Sequence, residues 1–298
     1  MHLPGAIDSA LNQTFADLEV LVIDDGSTDD TPAVCAAYGD RIRYFRQENA
    51  GSATARNRGI AESAGEFIAF LDGDDVWEPE KTAVQLAFMR EHPEFALTYT
   101  DKSWMDDEGR TIPCEHDDWD YPSGDLLEIL VLSNYITSSS LVMVRRDCLD
   151  EVGVFDEHPD MRCSQDVNLW LRIAGGHQIG FVPRKLARYR YHAGGTSRNL
   201  HRTYTGKMYN VRTVRRLFAA ERPDLESLLR KREFHLHQMY AHSFLYARHL
   251  DRSRRCIGAV LARAPWRVDM MAMWAYSYLC PLLDRLRGRR ATDDGLWR

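Results

Sequence analysis

Two acid clusters, Asp24-Asp25 and Asp72-Gly73-Asp74-Asp75, hold the clearest chemical potential in this sequence. Carboxylates crowded on a short turn repel one another and are destabilising together unless a cation neutralises them. Each cluster comes directly after an apolar run, Leu18 to Ile23 before the first and Phe67-Ile68-Ala69-Phe70-Leu71 before the second. Such runs belong in a core, so the chain leaves it with several carboxylates converging. Hard oxygen donors in that arrangement suit Mg²⁺ or Mn²⁺, the rest of the shell coming from water and from the phosphate oxygens of a substrate. A diphosphate leaving group fits that need. Acids alone are as readily a solvated loop; their place at the ends of buried strands marks these out.

The elements that deliver the acids follow from apolar periodicity and turn residues. Pro4 to Gln13 patterns as a short amphipathic helix with Ala6, Ile7, Ala10 and Leu11 on one side, and Leu18 to Ile23 as a strand. Thr28 to Tyr38 suits a helix, Arg41 to Phe45 a strand, Ala53 to Ala64 a helix closed by Gly65, and Glu66 to Leu71 a strand. After Pro79, residues 80–92 pattern as an amphipathic helix, Ala96 to Thr100 and Ser139 to Val144 as strands, and Val167 to Ala174 as a helix ended by Gly175-Gly176. Strands alternating with helices predict the α/β class with a mainly parallel sheet, whose ligands sit beyond the carboxyl ends of the strands. Both acid clusters fall on that edge. From about residue 201 the pattern becomes nearly continuous helix, with Leu225, Leu229, Leu236, Tyr240, Phe244 and Ala247 recurring at helical spacing. Residues 1–200 and 201–298 are therefore expected as separate units.

Charge divides the chain in the same place. Residues 201–298 carry 20 Lys and Arg against 9 Asp and Glu, a net of +11, which leaves 18 against 35, a net of −17, for residues 1–200. An acidic unit is a poor binder of nucleic acid but gathers divalent cations, and a basic helical one suits an anionic membrane surface. No nucleic-acid partner is expected. The cysteines, Cys35, Cys114, Cys148, Cys163, Cys256 and Cys280, have neither CxxC pairing nor zinc-ligand spacing, so a reducing, cytoplasmic setting is expected. Met1 to Thr14 lacks the basic start and apolar core of a signal peptide. Met270 to Leu283 falls short of the ~20 apolar residues a membrane span needs, and Pro281 interrupts it.

Read in order, Ala6 to Thr14, Val22-Ile23-Asp24-Asp25-Gly26-Ser27-Thr28-Asp29, Asn49-Ala50-Gly51 with Ala55-Arg56-Asn57-Arg58-Gly59, and Phe70-Leu71-Asp72-Gly73-Asp74-Asp75 resemble the motifs of glycosyltransferase family 2. Gly153-Val154-Phe155-Asp156-Glu157, Gln165-Asp166-Val167-Asn168-Leu169-Trp170-Leu171-Arg172, and Tyr191-His192 with Ser197 resemble its acceptor-side elements, so the likeness runs over about residues 3–200. The resemblance implies a Rossmann-like GT-A sheet with flanking helices. It also implies an inverting transfer of a sugar from a nucleoside-diphosphate sugar, with UDP the expected nucleotide, to a hydroxyl acceptor. Synthesis of polysaccharide, lipopolysaccharide or another cell-surface glycan is the expected setting.

Residue by residue, the resemblance implies that Asp25, helped by Asp24, accepts the uracil imide hydrogen or another base contact. It implies that Arg56 contacts the nucleotide, where a guanidinium can bond phosphate. Asp72 would bind the ribose or the metal, and Asp74, supported by Asp75, the metal. Asp166 is the candidate base, because inversion needs a carboxylate beside the acceptor hydroxyl, opposite the departing diphosphate. The family's usual Glu-Asp pair is Gln165-Asp166 here, which removes one negative charge and keeps the Asp. His192 resembles a late His that in some members completes the metal or diphosphate site.

Trp104, Trp119 and Tyr121 lie in a polar, acid-rich stretch from Asp101 to Asp125, a loop whose exposed aromatics could stack on an acceptor glycan. Near the C-terminus Trp266, Trp274, Tyr276 and Tyr278 are flanked by Arg263, Arg267, Arg285, Arg287, Arg289 and Arg290, a composition that suits peripheral contact with a membrane bearing a lipid-linked acceptor, or a homodimer. The family opens with a strand before the helix that starts here near Pro4, and this sequence lacks it. That strand is central in the parallel sheet, so its neighbours are expected to have unpaired backbone groups and an apolar gap. A catalytically impaired nucleotide-sugar or glycan-binding protein is the alternative.

Overall fold

The computed structural model describes residues 2–113, 121–191 and 199–286, with side chains as far as 281. The chain divides into two compact units, residues 1–196 and 197–298. The first opens with α1 (Leu3–Leu11), which buries Ala6, Ile7 and Ala10, and continues through β1 (Leu21–Asp25), α2 (Thr31–Ala36), β2 (Arg43–Gln47), α3 (Ser52–Glu62) and β3 (Phe67–Ala69). After the acidic turn come β4 (Val76–Trp77), α4 (Lys81–Glu91), β5 (Phe95–Met105) and β6 (Thr111–Ile112). Next are α5 (Leu127–Leu132), β7 (Val142–Arg145), α6 (Arg146–Val152), α7 (Gln165–Ala174) and β8 (Gln178–Arg190).

The α/β class holds, but the strand pairing is more mixed than a mainly parallel sheet. Strands β1 and β2 form a two-stranded parallel sheet, Leu21 opposite Arg43 and Asp25 opposite Gln47. A six-stranded sheet runs β3-β7-β5-β8-β4 with β6 on β5; its β5–β8 pair is parallel and the other pairs are antiparallel. The link from β5 into β6 is too short for the helical crossover that parallel neighbours require. No described strand pairs with the second edge of β1 or of β3. Leu21, Val22 and Ile23 are only half-buried.

β8 escapes the sequence pattern because Pro183, Arg184 and Lys185 break its alternation. The ladder absorbs them: Thr100 pairs with Val182 and Asp101 with Lys185, so the proline, which has no N–H to donate, sits in a bulge. The core of this unit is densest along β5, where Ala96, Leu97, Tyr99 and Met105 are inaccessible, and beneath α7, where Leu169, Trp170 and Ile173 are buried.

The second unit contains α8 (Leu200–Phe218), α9 (Leu225–Tyr246), α10 (Leu250–Arg263) and α11 (Val268–Leu286). Asn199 caps α8 by accepting from the Arg202 amide at 3.0 Å. The expected apolar series on α9, Leu225, Leu229, Leu236, Tyr240 and Phe244, is buried. α11 continues through Pro281 where an interruption was expected. No helix among the described residues is long and apolar enough to cross a membrane, and Cys35, Cys148, Cys163, Cys256 and Cys280 are free thiols.

Candidate active site

The acids converge on one end of the first unit in two different chemical states. The Asp24 side chain is fully covered: it accepts from the Ser27 amide at 2.7 Å and from the Tyr44 hydroxyl at 2.6 Å, with Arg46 3.6 Å away. Burial pushes its pKa up, but these bonds prevail and hold the carboxyl below its ordinary range. Asp24 thus braces the β1 turn.

Asp25 points its carboxylate at the entrance to α3, accepting from Gln47 Nε2 at 2.8 Å and from the Ala50 and Gly51 amides at 2.9 and 2.7 Å. Three bonds leave about one of a carboxylate's four acceptor positions. The same bonds, against burial, lower its pKa, so it is an anion at neutral pH. Gly26 makes the close approach possible. Its φ is +78°, and a Cβ there would lie 2.7 Å from the Asn49 backbone nitrogen.

The second cluster is built around Asp75, which is 1% exposed. It accepts from the Ser140 hydroxyl at 2.6 Å and from the Arg190 amide at 2.9 Å, and burial pushes its pKa up to about 7. Its oxygens face inward to Ser140 and Arg190. Arg190 completes the staple, donating from Nε to the Asp74 carbonyl at 2.8 Å and from Nη1 to the Asp106 and Asp107 carbonyls at 2.6 and 3.0 Å. Ser140 Oγ also accepts from the Asp72 amide at 3.0 Å. Neither Ser140 nor Arg190 was singled out in the sequence, although the Ser138-Ser139-Ser140 run and an Arg inside Tyr-Arg-Tyr-His were visible.

Asp72 turns the other way, accepting from Arg56 Nη2 at 2.6 Å. Arg56 projects from α3, with its guanidinium 5.5 Å from the centre of the Phe155 ring, and its charge acts on Asp166. Asp166 sits in the first turn of α7, where the helix dipole favours a carboxylate, and one oxygen accepts from the Val167 amide at 2.8 Å. Burial raises its pKa and Arg56 opposes that shift. Ser164 takes the N-cap position. Gln165 Nε2 donates to Ser52 Oγ at 2.6 Å, tying α7 to the start of α3, while its Oε1 has no partner among the described residues.

The motifs also hold each other. Asn57, beside Arg56, pairs with Phe155 as a strand would, donating to its carbonyl at 2.9 Å and accepting from its amide at 2.9 Å. Phe155 packs edge-on against Phe70 at 5.2 Å and Trp170 at 6.1 Å, joining α3, the end of β3 and α7.

The aromatic expectations separate. Trp104 lies on β5 and not in a loop, edge-on to Tyr189 at 5.2 Å and to the exposed Tyr191 at 6.1 Å. The Tyr189 hydroxyl is acted on by Asp75, Asp74, Asp72 and Asp166, which puts this shelf beside the acids. Tyr121 belongs to a different cluster with Tyr99 and Phe181, back along the β5–β8 ladder, so it does not join Trp104. Trp119 and His192 lie outside the described residues.

Two carboxylates on one turn, Asp72 and Asp74, suit a hard cation that takes its other oxygens from phosphate and water. Among the described residues no three His, Cys, Asp or Glu side chains form a ready-made cage. The donor set fits a metal that arrives with, and is completed by, a diphosphate.

Comparison with known proteins agrees with this geometry. The profile of the glycosyl transferase family 2 matches residues 2–153. An uncharacterized glycosyltransferase of Rickettsia felis is 35% identical over 195 residues, 64% of this chain and 31% of that protein, so the chain spans about a third of that relative. TuaG of Bacillus subtilis, named for teichuronic acid biosynthesis, is 28% identical over 221 residues, 72% of this chain and 84% of that protein. In fold, the chain is similar to S. aureus TarS residues 1–349, at a TM-score of 0.63 and 16% identity over 98% of this chain and 90% of that one. A further TarS structure, solved with UDP-GlcNAc, gives a TM-score of 0.61 and 17% identity over 98% of this chain and 91% of that one. With the matched segment running through both acid turns and the Arg56 helix, the chain belongs to glycosyltransferase family 2.

Proposed function

We propose that residues 1–200 form a catalytic domain that moves a sugar from a nucleoside-diphosphate sugar to a hydroxyl acceptor with inversion, in the synthesis of a cell-surface glycan. The observation that carries this reading is Arg56, 2.6 Å from Asp72 on the acidic turn and acting on the half-buried Asp166. One cation joins a carboxylate suited to the donor side with a carboxylate suited to the acceptor side. The names of TuaG and of the TarS complex with UDP-GlcNAc favour UDP as the nucleotide and a wall or surface polymer as the product.

Asp25 accepts the imide N–H of the base through its remaining acceptor position, and Arg56 makes charge-assisted bonds to the diphosphate. Asp166 takes the proton of the acceptor hydroxyl as that oxygen bonds to the anomeric carbon, while the bond from that carbon to the diphosphate breaks on the opposite face. Asp74, with Asp72 and His192, would hold Mg²⁺ or Mn²⁺, which when bound neutralises the departing diphosphate. Trp104, with Tyr189 and Tyr191, offers a surface for a sugar ring of the acceptor. The C-terminal helices supply contact with a membrane or with a second copy.

The test is release of nucleoside diphosphate from a panel of UDP-sugars with Mn²⁺. Asp166→Asn is expected to lower kcat by at least ~10²-fold with donor affinity retained, and Asp74→Asn to abolish the metal-dependent turnover. Donor binding without turnover in the wild-type chain would assign it to the impaired, binding-only alternative.

A further inference from the structure

Among the described side chains, α11 buries a narrow seam, Met270, Ser277 and Cys280, and leaves the opposite side exposed. At about 100° per residue, Val268, Met271 and Leu279 fall near the middle of that open face, with exposures of 73%, 45% and 54%. Trp274 lies along one margin and Tyr276 along the other, while Tyr278 falls about 20° from Met271, all three exposed. Val268 and Leu279 therefore occupy the centre of the face, with Trp274 and Tyr276, whose rings carry a polar tip, at its edges.

This order suits a membrane interface better than a protein partner. A helix lying in the headgroup region sinks its aliphatic centre into the acyl boundary and keeps Trp and Tyr at headgroup depth. A second helix would cover a stripe about 100° wide, whereas this face extends over roughly 200° at that residue spacing. Charge agrees. The Arg254 guanidinium lies 3.9 Å from the centre of the Tyr278 ring, donates to the Ser277 carbonyl at 2.7 Å and pairs with Asp251 at 3.1 Å. The only acid on the helix before residue 284 is Asp269, which Arg267 pairs at 2.5 Å, and in sequence Arg285, Arg287, Arg289 and Arg290 follow.

We infer that the open face of α11 is a docking surface for an anionic lipid bilayer, on which the helix lies parallel to the membrane plane without crossing it. The inference rests on exposure and charge in the second unit and is independent of the transfer reaction.

The full chain is mixed with phosphatidylglycerol-containing vesicles and, separately, with phosphatidylcholine vesicles, and sedimented at low and high salt. Sedimentation with the anionic vesicles alone, weakened by salt, is expected. Met271→Glu/Leu279→Glu, at exposed positions that leave the circular dichroism spectrum and donor turnover unchanged, is expected to lower vesicle affinity at least ~10-fold. Full recovery in the supernatant with both vesicle types, or equal binding by the double variant, overturns the inference. A dimer in sedimentation equilibrium that the double variant dissolves, with no vesicle binding by either protein, gives the face to a second copy instead.

Discussion

Lys81 on α4 is wholly buried, and replacing it by Met should change how stability depends on pH. Its ammonium donates to Gln85 Oε1 at 2.5 Å and lies 4.4 Å from the centre of the Trp77 ring. Burial pushes its pKa from 10.5 down to about 7. Between those values the unfolded chain holds a proton that the folded chain has lost, so stability rises with pH across the window and is lost as pH falls towards 7. At 1.36 kcal/mol per unit, the gain from pH 7 to pH 9.5 is about 3 kcal/mol. Lys81→Met keeps the volume and removes the proton. Urea unfolding of both proteins at the two pH values isolates the effect as a difference of differences, in which the lost bond to Gln85 cancels. PH responses that agree within ~0.5 kcal/mol would show that Lys81 is not titrating in the fold. Trp77, beside this amine, donates from Nε1 to the Ser140 carbonyl at 2.8 Å, and Ser140 holds Asp75, so Lys81 lies in the layer supporting the acidic turn.

Other substitutions test the supports of the site. Gly26→Ala should destabilise by at least ~1–2 kcal/mol, since the φ of +78° and the 2.7 Å approach to the Asn49 nitrogen both exclude a Cβ; chemical denaturation reads it. Arg190→Ala leaves the carbonyls of Asp74, Asp106 and Asp107 without their charged donor and should cost at least ~3 kcal/mol together with most donor affinity, measured by calorimetry. Trp104→Ala should raise KM for the acceptor by ~10-fold with kcat and donor KM nearly unchanged, in steady-state kinetics.

The parts of the site that were legible in sequence are those where local pattern and chemistry coincide. Apolar runs ending in acids located β1 and β3, and helical spacing located α1, α3, α4 and the C-terminal helices. What stayed hidden depends on partners far away in the chain. Asp75 reads as a ligand beside Asp74, yet it is bound by Ser140 and Arg190, 65 and 115 residues on. Asp24 reads as the twin of Asp25, yet Tyr44 on β2 closes over it. The polar stretch after Asp101 reads as a loop because its charged residues mask the continuation of β5, which only pairing with β8 reveals. β8 itself was obscured by Pro183, whose missing N–H is harmless at a bulge and discouraging in a pattern.

The most direct test of the transfer chemistry is the anomeric configuration of the product. With Asp166 acting as a base and not as a nucleophile, a single displacement at the anomeric carbon converts an α-linked donor sugar into a β-linked glycoside. Proton NMR of the glycoside formed from a UDP-α-sugar donor should show only the β linkage. An α-linked product would contradict the single displacement and with it the assignment of Asp166.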